Sequence, residues 1–311
     1  MTSPVLSVII VNYNGGALLD ACLASLAAHP ASVPTEIILV DNASVDGSRE
    51  RVAATRPDIR LIALEANLGL TRGFNRGVAA ARGSVLLSLD SDTEVTAGAL
   101  DAMLAVLDAT PDAGAAGATL VYPDGTPQKT ARRFPSPLAG LFGRRSALTR
   151  LFPNNPFSRR YLMADQDGVD VPFDVDTLST ACMAVRRSVV EAVGAYDEAF
   201  FVYWSDTDWC QRIKAGGWRI LSLPGATVVH NENLKARHRK VRRTRMVVDF
   251  HRGAYRYYAK HHAGPLNPMR YVALAALSTR AALILGQDEW QRLRASKPSM
   301  PGGISRQEGR S

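Results

Sequence analysis

Two aspartates one residue apart end an apolar run in the first third of the chain. In LLSLDSDTEV (86–95) this run leads into Asp90 and Asp92. On an extended strand both side chains lie on the same side, where their charges repel each other unless a cation binds between them. Aspartate is also common in solvated turns. The spacing therefore indicates either a divalent-cation site at the end of a strand or a polar turn.

The segments that surround this pair predict an α/β fold. Apolar segments of strand length at 5–13, 35–42 and 84–92 alternate with segments of helical spacing such as 17–29. This alternation predicts a parallel sheet that is covered by helices on both faces. Ligands of such sheets bind at the carboxyl ends of the strands. Polar residues follow the strands at 12–15, 41–42, 67–69 and 90–92. Their convergence on one edge favours a binding site over a polar turn.

A second acidic pair follows an aromatic run later in the chain. Before it, the Pro- and Arg-rich stretch 122–145 predicts a long loop, and 176–194 predicts a short strand and then a helix. Four aromatic residues between 200 and 204 then precede Asp206 and Asp208. We expect Asp206 at the wall of a pocket, although a helix N-cap would also explain an acid at this position. A helix and two short strands follow, and the second strand ends at His230.

Composition and motifs argue against several classes of protein. The chain has 311 residues, of which 46% are hydrophobic and 21% charged, as is ordinary for a globular protein with a sizeable core. Its three cysteines are widely spaced without a CxxC pair, which argues against a disulfide framework or a zinc site. Neither GxGxxG after the first strand nor a P-loop motif is present. Zinc-finger spacing and an aromatic RNA-binding signature are missing too, so no nucleic-acid partner is predicted.

The N-terminus and the charge distribution bear on the location of the protein. The first residues lack the layout of a signal peptide, and the longest apolar stretch, 271–286, is interrupted by Arg280. We therefore expect a cytoplasmic protein without a membrane span. Much of the formal charge of +8 lies in KARHRKVRRTR (235–245). This basic run suits an anionic membrane, a phosphorylated ligand or nucleic acid, and the Arg- and Tyr-containing segment after 250 favours a membrane surface over a plain solvated face.

Six motifs occur in an order that resembles a known family. They are SVIIVNYNG, ILVDNASVDGS, ANLGLTRGFNRG, LSLDSDTEV, AYDEAFFVYWSDTDWCQRIKAGGWRI and PGATVVH. They are similar to the successive motifs of family 2 glycosyltransferases, and most of all to the bacterial rhamnosyltransferase-like group that builds cell-surface polysaccharides. The resemblance implies a GT-A fold, with a Rossmann-like, mostly parallel sheet and helices on both faces. It also implies a nucleotide-sugar donor, a divalent metal ion (Mn²⁺ or Mg²⁺) and an inverting displacement.

The resemblance assigns the donor site to five positions. Asn12 and Tyr13 match the loop that meets the donor nucleotide, and Asp41 matches the acid that hydrogen-bonds the nucleobase. Asn67 and Asn75 match polar positions that line the nucleotide cleft. These five residues, together with Asp90 and Asp92, are therefore expected to bind the donor.

The resemblance also assigns a metal site. Asp90 and Asp92 match the DxD motif, with Asp92 as a metal ligand and Asp90 near the ribose or the metal. His230 matches a histidine that completes the metal site in some members, although an ordinary histidine at a strand end is the alternative. Carboxylate oxygens suit hard cations, and an imidazole ligand fits Mn²⁺. Arg72 departs from the family pattern, because a small residue is common there, and this bears on the fit around the donor phosphates.

The catalytic base is assigned by the same resemblance. Asp206 matches the Asp of the Glu-Asp-x-Asp motif that serves as the base. The sequence departs from this motif at Ser205, where Glu is usual, and this leaves Asp208 as a rival for the role. Tyr203 and Trp204 are expected either to stack on the acceptor's sugar or to pack in the core.

The sequence thus predicts a metal-dependent inverting glycosyltransferase. It would move a sugar such as rhamnose from a dTDP- or UDP-sugar to a lipid-linked or polysaccharide acceptor in cell-envelope glycan synthesis. The predicted catalytic domain spans 1–232, with a nucleotide-binding half of about 1–110 and an acceptor half of about 111–232. A basic, helical, membrane-facing segment (233–290) and a disordered tail (291–311) follow, so the protein is expected at the inner face of the cell membrane as a peripheral protein.

Two alternatives belong to other functional classes. A sugar nucleotidyltransferase also uses paired acids on a nucleotide-binding sheet, but it needs a Gly-rich loop with Arg and Lys after the first strand, and NYNGG carries neither cation. A non-enzymatic protein that binds anionic surfaces through the basic run is the second alternative.

Overall fold

The computed structural model of the chain describes residues 3–135, 151, 155–232 and 243–295. The chain divides into two compact units, Met1–Lys240 and Val241–Ser311. Most of the basic run, residues 136–150 and the predicted tail from 296 onward lie outside the described residues. The predicted domain boundary at 232 stays a prediction, whereas residues 291–295, which were predicted to belong to the disordered tail, are helical.

The first unit begins with the predicted alternation of strands and helices. Its first elements are β1 (Leu6–Asn12), α1 (Gly16–Ala28), β2 (Thr35–Asp41), α2 (Ser48–Thr55), β3 (Arg60–Ala63), α3 (Leu70–Ala80) and β4 (Val85–Asp90). Strands β1 and β4 are nearly continuous apolar runs and are buried along almost their whole length. This is the pattern of strands that are covered on both faces.

The rest of the first unit is less regular. It comprises β5 (Thr93–Val95), α4 (Ala99–Ala109), β6 (Ala113–Val121), α5 (Pro156–Tyr161), a 3-10 turn (Ala164–Gln166), β7 (Phe173–Asp174), β8 (Cys182–Arg186), α6 (Arg187–Val193), α7 (Ser205–Ala215) and β9 (Arg219–His230). The predicted second half had two short strands before His230. The structure instead has one strand, β9, whose pairing with β6 shifts register between Leu223 and Thr227. Pro224 lies within this shift. Proline has no N–H to donate, so it interrupts the hydrogen bonds of the ladder there.

The described strands form one mixed sheet. Their order is β3-β2-β1-β4-β8-β6-β9-β5, and β7 pairs with β9 off this path. Strands β1 to β4 pair in parallel, as predicted, whereas β8 runs antiparallel to both β4 and β6. A parallel neighbour requires a crossover connection, which is usually a helix. The alternation of strands and helices stops before β8, and the sheet therefore becomes mixed there.

Apolar clusters cover both faces of the sheet. Because side chains alternate along a strand, Val8 and Ile10 of β1 belong to one cluster and Ile9 belongs to the other. The second cluster contains Phe74 of α3, Trp209 of α7 and Tyr196, which lies before α7. The centroids of these three rings are 4.8–5.6 Å apart. These rings join α3 and α7 to the segment between α6 and α7, which carries the aromatic run.

The second unit contains two long helices, α8 (Arg243–His261) and α9 (Met269–Ala295), that pack against each other. Within α9, residues Met269–Gln291 are long and apolar enough to cross a membrane by length and composition. Arg280 lies within this segment, and its Nη1 is 2.9 Å from Nε2 of His251 in α8. The expectation of a chain without a membrane span, which rested on the interruption by Arg280, stays a prediction.

Candidate active site

The polar strand ends converge on one edge of the sheet. The parallel register sets Asn12 opposite Asp41 and Val11 opposite Asp90, so β1, β2 and β4 end side by side. Asn12 is the last residue of β1, as the predicted strand at 5–13 implies, and the loop with Tyr13 follows it. The convergence that the sequence indicated is present in the fold.

Asp90, Asp92 and His230 meet at this edge. Strand β5 pairs with the end of β9 so that Thr93 faces His230, and the Asn231 N–H donates to the Asp92 carbonyl over 2.8 Å. Nε2 of His230 lies 3.8 Å from Oδ2 of Asp90 and 3.7 Å from Oδ1 of Asp92. One ligand atom from each residue falls within 4.8 Å of the others. Pairing of β5 with β9 thus joins the DxD segment to a histidine far along the chain.

The donor atoms and their spacing fit one divalent cation. Metal–ligand bonds of about 2.0–2.2 Å put neighbouring ligand atoms roughly 3–4 Å apart, depending on the angle at the metal. The His230 distances to both carboxylates lie in this range. The Asp92 side chain is only 4% exposed, so water screens little of its charge. Two carboxylates and an imidazole can hold Mn²⁺ or Mg²⁺.

Gln128 fixes the orientation of His230, and sequence reasoning did not identify it. The Gln128 side-chain amide donates to the His230 carbonyl over 2.7 Å, so its oxygen faces Nδ1 of His230 at 2.9 Å. An oxygen cannot donate, and Nδ1 must therefore carry the proton. In the neutral ring, Nε2 then carries the lone pair on the side of the two carboxylates. Orientation of a ligating histidine by a hydrogen bond to its other nitrogen is common at metal sites.

Asn12 and Asp41 connect the loops after β1 and β2. The Asn12 amide nitrogen lies 2.9 Å from Oδ1 of Asp41, 3.0 Å from Oγ of Ser44 and 2.9 Å from Oγ of Ser48. Its oxygen accepts from the Gly15 N–H over 3.1 Å. Both Asn12 and Asp41 are fully buried, so their side chains position the edge on which a nucleotide could lie. Their direct contact with a donor stays a prediction.

The other predicted donor residues occupy different surroundings. Tyr13 and Asn67 are half-buried in the loops after β1 and β3, and Oδ1 of Asn67 accepts from the Gly69 N–H over 3.0 Å. Asn75 of α3 donates to the Tyr196 carbonyl and accepts from the Tyr196 N–H over 2.9 and 3.0 Å. Its amide is therefore used to hold the segment after α6. Arg72, which departs from the family pattern, lies 3.4 Å from the carboxylate of Glu198.

The start of α3 holds the aromatic run against the sheet edge. The Leu70 N–H donates to the Phe201 carbonyl over 2.8 Å, and the Thr71 hydroxyl donates to the Phe200 carbonyl over 2.5 Å. Gly69 has a φ of +89°, and a Cβ there would lie 2.6 Å from Phe201. This position requires glycine for both reasons. The aromatic run is thereby fixed directly before α7.

Asp206 lies in the first turn of α7 and is half-buried. Loss of water around its carboxyl raises its pKa, while Arg132 and the Thr207 N–H oppose the rise. The Thr207 N–H lies 2.7 Å from Oδ1 of Asp206. Burial raises the pKa of the Tyr196 phenol, and the charges of Asp206 and Asp90 add to the rise.

Asp208 has different surroundings from Asp206. It is fully buried, and its Oδ2 accepts from Nε of Arg212 over 3.0 Å. The same guanidinium donates to the carbonyls of Val193 and Ala195 over 2.6 and 2.7 Å. Asp208 therefore forms part of a buried link that holds α7 to the end of α6, and its carboxylate has a structural role.

The residues before the acids are held tightly. The buried Ser205 hydroxyl donates to the Val202 carbonyl over 2.6 Å, and this closes the turn where the family motif has a Glu. Trp204 has a φ of +72°, which is unusual for a residue with a side chain and is often found near functional sites. Tyr203 and Trp204 are both half-buried, so each keeps part of its side chain accessible.

Solved structures of glycosyltransferases share this architecture. A mannosyltransferase from Pyrobaculum calidifontis, in complex with GDP-Man and Mn²⁺, matches with a TM-score of 0.54 and 20% identity, over 94% of this chain and 81% of the other. S. aureus TarS in complex with UDP-GlcNAc matches with a TM-score of 0.54 and 18% identity, over 88% of this chain and 72% of the other. The fold is the GT-A fold of glycosyltransferases.

The sequence comparisons narrow the class further. Residues 7–194 match the model of glycosyl transferase family 2, and the chain belongs to that family. It is 30% identical over 293 residues to the N-acetylglucosaminyl-diphospho-decaprenol L-rhamnosyltransferase of Mycobacterium tuberculosis (strain ATCC 25618 / H37Rv), which covers 90% of this chain and 93% of the relative. Membership confirms the predicted glycosyltransferase class and decides against the sugar nucleotidyltransferase and the non-enzymatic alternative.

Proposed function

We propose that this glycosyltransferase moves a sugar such as rhamnose from a dTDP- or UDP-sugar to a lipid-linked or polysaccharide acceptor in cell-envelope glycan synthesis. The observation that carries the proposal is the convergence of Asp90, Asp92 and His230 at the carboxyl edge of the sheet. The name of the M. tuberculosis relative combines a rhamnosyl group with a lipid diphosphate, which supports the lipid-linked acceptor.

In the proposed site, Asp92 and His230 bind a divalent cation together with Asp90. The cation, Mn²⁺ or Mg²⁺, supplies positive charge to the diphosphate leaving group. Gln128 holds His230 in the tautomer that leaves Nε2 free to bind metal. The P. calidifontis complex contains Mn²⁺, which supports a divalent cation in the proposed site.

Asp206 is the proposed catalytic base. Its carboxylate takes the proton from the acceptor hydroxyl while the acceptor oxygen bonds to the anomeric carbon. The bond from that carbon to the diphosphate breaks on the opposite side, which inverts the configuration. A base with a raised pKa accepts the proton more readily near neutral pH. The buried link between Asp208 and Arg212 supports Asp206 over Asp208 for this role.

The donor nucleotide is proposed to lie along the ends of β1 and β2. Tyr13, Asp41 and Asn67 are the proposed direct contacts. Asn12 and Asn75 are proposed to act indirectly, because their amides hold the surrounding loops. Tyr203 and Trp204 are the proposed acceptor contacts, since both remain partly accessible directly before the base.

The second unit is proposed to face the membrane at its cytoplasmic surface. Large apolar side chains are exposed along α9, including Tyr271, Leu283 and Trp290. A surface of this kind suits the interface of a bilayer. A lipid-linked acceptor would be present at the same surface, which fits the proposed substrate.

Binding and transfer experiments test the proposal. Isothermal titration with dTDP-rhamnose, UDP-glucose, UDP-GlcNAc and GDP-mannose, each with Mn²⁺ and with EDTA, should show one preferred donor that requires metal. The donor is then tested for transfer to a polyprenyl-diphosphate-linked sugar. Undiminished transfer in EDTA, or no metal-dependent binding of any nucleotide sugar, would contradict the proposal.

A further inference from the structure

A cleft in the second unit is lined mainly by positive charges. It has a volume of about 420 Å³, and its lining residues are Arg252, Tyr255, Arg256, Ala259, Lys260 and Arg270. Its lining contains no acid among the residues that the structure describes. None of these lining residues belongs to the basic run at 235–245, most of which lies outside the described residues.

The spacing of the cations explains why they converge. Arg252, Arg256 and Lys260 recur at every fourth residue of α8, so they lie on one face of the helix, with successive positions about 6 Å apart along the axis. Arg270, in the first turn of α9, adds a fourth cation from the other helix. Two helices thus contribute charges of one sign to one concave surface.

An anion with several oxygens fits this surface. Cations at successive turns of one helix face can contact the oxygens of a single anion. Guanidinium groups bind phosphate through paired N–H donors, and the Tyr255 hydroxyl is a further donor. The chemistry of the lining therefore selects for phosphate.

The surface next to the cleft is apolar. Met269, Tyr271 and Val272, which flank Arg270, are 51%, 64% and 56% exposed. No charged residue follows Arg270 until Arg280. A phosphate in the cleft would thus have an apolar helix surface beside it, and a lipid headgroup with attached acyl chains has the matching arrangement.

The contact between α8 and α9 indicates how α9 lies relative to the lipid. Arg280 lies beside His251, whose Nδ1 is 2.7 Å from the Val247 carbonyl, so Nδ1–H donates there and Nε2 accepts from Arg280. Burial lowers the pKa of His251, and the nearby Arg280 adds to this, which favours the neutral ring. Helix α8 therefore runs beside α9 at Arg280 and carries charged residues. A charged helix does not enter the hydrocarbon core, so α9 fits a position in the interface better than across the bilayer.

We propose that this cationic cleft binds the phosphate group of an anionic membrane lipid and that the exposed face of α9 lies in the adjoining interface. The inference rests on the proposed membrane-facing role of the second unit, and it adds a defined phosphate site to that role. It is independent of the donor site and of sugar transfer.

The test measures binding of the full chain to three kinds of vesicle. These are neutral phosphatidylcholine vesicles, vesicles that also contain phosphatidylglycerol, and vesicles that contain oleate at the same surface charge. The wild-type chain should bind best to phosphatidylglycerol. R252Q/R270Q should bind these vesicles about 10- to 30-fold more weakly, because each cation near an anionic surface contributes to binding.

Two further variants separate a phosphate site from general attraction. R49Q/R60Q, in the first unit, removes the same charge and should bind like the wild-type chain. R252K/R270K keeps the charge but loses the paired donors, so it should bind phosphatidylglycerol more weakly than the wild-type chain.

The outcomes that overturn the inference differ from one another. Equal loss in R252Q/R270Q and R49Q/R60Q, or equal binding to oleate and phosphatidylglycerol, would rule out a phosphate site while leaving membrane binding intact. No binding of the wild-type chain to any vesicle would overturn the membrane-facing role as well. Since no sugar is transferred in these assays, neither result depends on the glycosyltransferase proposal.

Discussion

Gln128 and His230, 102 residues apart, hold each other through two hydrogen bonds of 2.7 and 2.9 Å. One bond uses the His230 backbone and the other its ring, so a single amide fixes both the position and the tautomer of the histidine. Asp90 and Asp92 then face the nitrogen that carries the lone pair. The geometry of the proposed metal site therefore depends on a residue that is not a proposed ligand.

Gln128→Ala should weaken Mn²⁺ binding by about 10- to 100-fold, the usual effect of losing such a support. Turnover should recover in part at high Mn²⁺, because the ligands themselves remain. Titration calorimetry with Mn²⁺ measures the first effect, and turnover against Mn²⁺ concentration measures the second. Gln166→Ala, outside the site, serves as the control. Unchanged Mn²⁺ affinity in Gln128→Ala would show that the tautomer is fixed by other means.

Asp92→Ala should abolish turnover and most of the metal-dependent binding of the donor, because the diphosphate then lacks its counter-charge. Asp90→Ala should be severe but milder, since Asp90 is 33% exposed whereas Asp92 is 4% exposed. Titration of the nucleoside diphosphate with and without Mn²⁺ measures the loss. Asp124→Ala, in an exposed loop, is the matched control. Wild-type turnover of Asp92→Ala at saturating metal would disprove the assignment.

Asp206→Asn should leave donor affinity nearly unchanged and lower turnover by about 100-fold or more, as expected for a lost general base. The two effects are separated by measuring donor binding in the absence of acceptor and turnover at saturating donor. A parallel fall in donor affinity would instead indicate that Asp206 contacts the donor.

The pKa of Asp206 also predicts a pH dependence of stability. Because burial raises this pKa, the folded chain binds the proton more tightly than the unfolded chain does. The charged carboxylate therefore destabilises the fold at neutral pH, and this effect disappears as the pH falls below the usual pKa of an aspartate. Asp206→Asn should unfold at a higher temperature than the wild-type chain at pH 7, and the difference should vanish in acid. Thermal unfolding across this pH range checks the sign.

Asp208→Asn should reduce stability more than it reduces catalysis. It breaks the buried pair with Arg212, and an unsatisfied buried partner costs about 1–3 kcal/mol. Urea unfolding measures the loss, and turnover per folded molecule should remain within a few-fold of wild type. A larger kinetic loss than in Asp206→Asn would transfer the base role to Asp208.

Gly69→Ala should destabilise the fold and loosen the aromatic run. Its Cβ would lie 2.6 Å from Phe201, and its φ of +89° disfavours any side chain. Gly98→Ala is the matched control, because Gly98 has a φ of +74° but a Cβ there would meet no atom within 4 Å. The difference between the two variants in unfolding free energy isolates the collision with Phe201. Equal losses would mean that only the backbone conformation matters.

Local sequence patterns predicted the residues of the site that lie at the ends of strands. Asp90 and Asp92 follow a buried strand at a spacing of two, and the parallel register then sets them beside Asn12 and Asp41. These features depend on periodicity and on the rule that ligands bind at strand ends. They could be predicted because each lies within a few residues of its own strand.

The features that sequence reasoning missed depend on distant pairs. Gln128 lies in a stretch that predicted only a long loop, and its role follows from a partner 102 residues away. Arg212, a helical turn after Asp208, could have signalled the buried pair through its i,i+4 spacing. The antiparallel β8 and the partner of Arg280 likewise depend on contacts between elements that have no local signature.

The pairing of β5 with β9 has a consequence for how the protein is made. Asp92 and the Asn231 N–H that binds its carbonyl are separated by most of the first unit. During synthesis the chain emerges from its N-terminus, so β1 to β4 leave the ribosome long before β9 does. A nascent chain that ends before β9 has both aspartates but neither the histidine nor the strand that holds β5. The proposed metal site therefore forms only after β9, the last described strand of the sheet, is added, and shorter chains cannot assemble it.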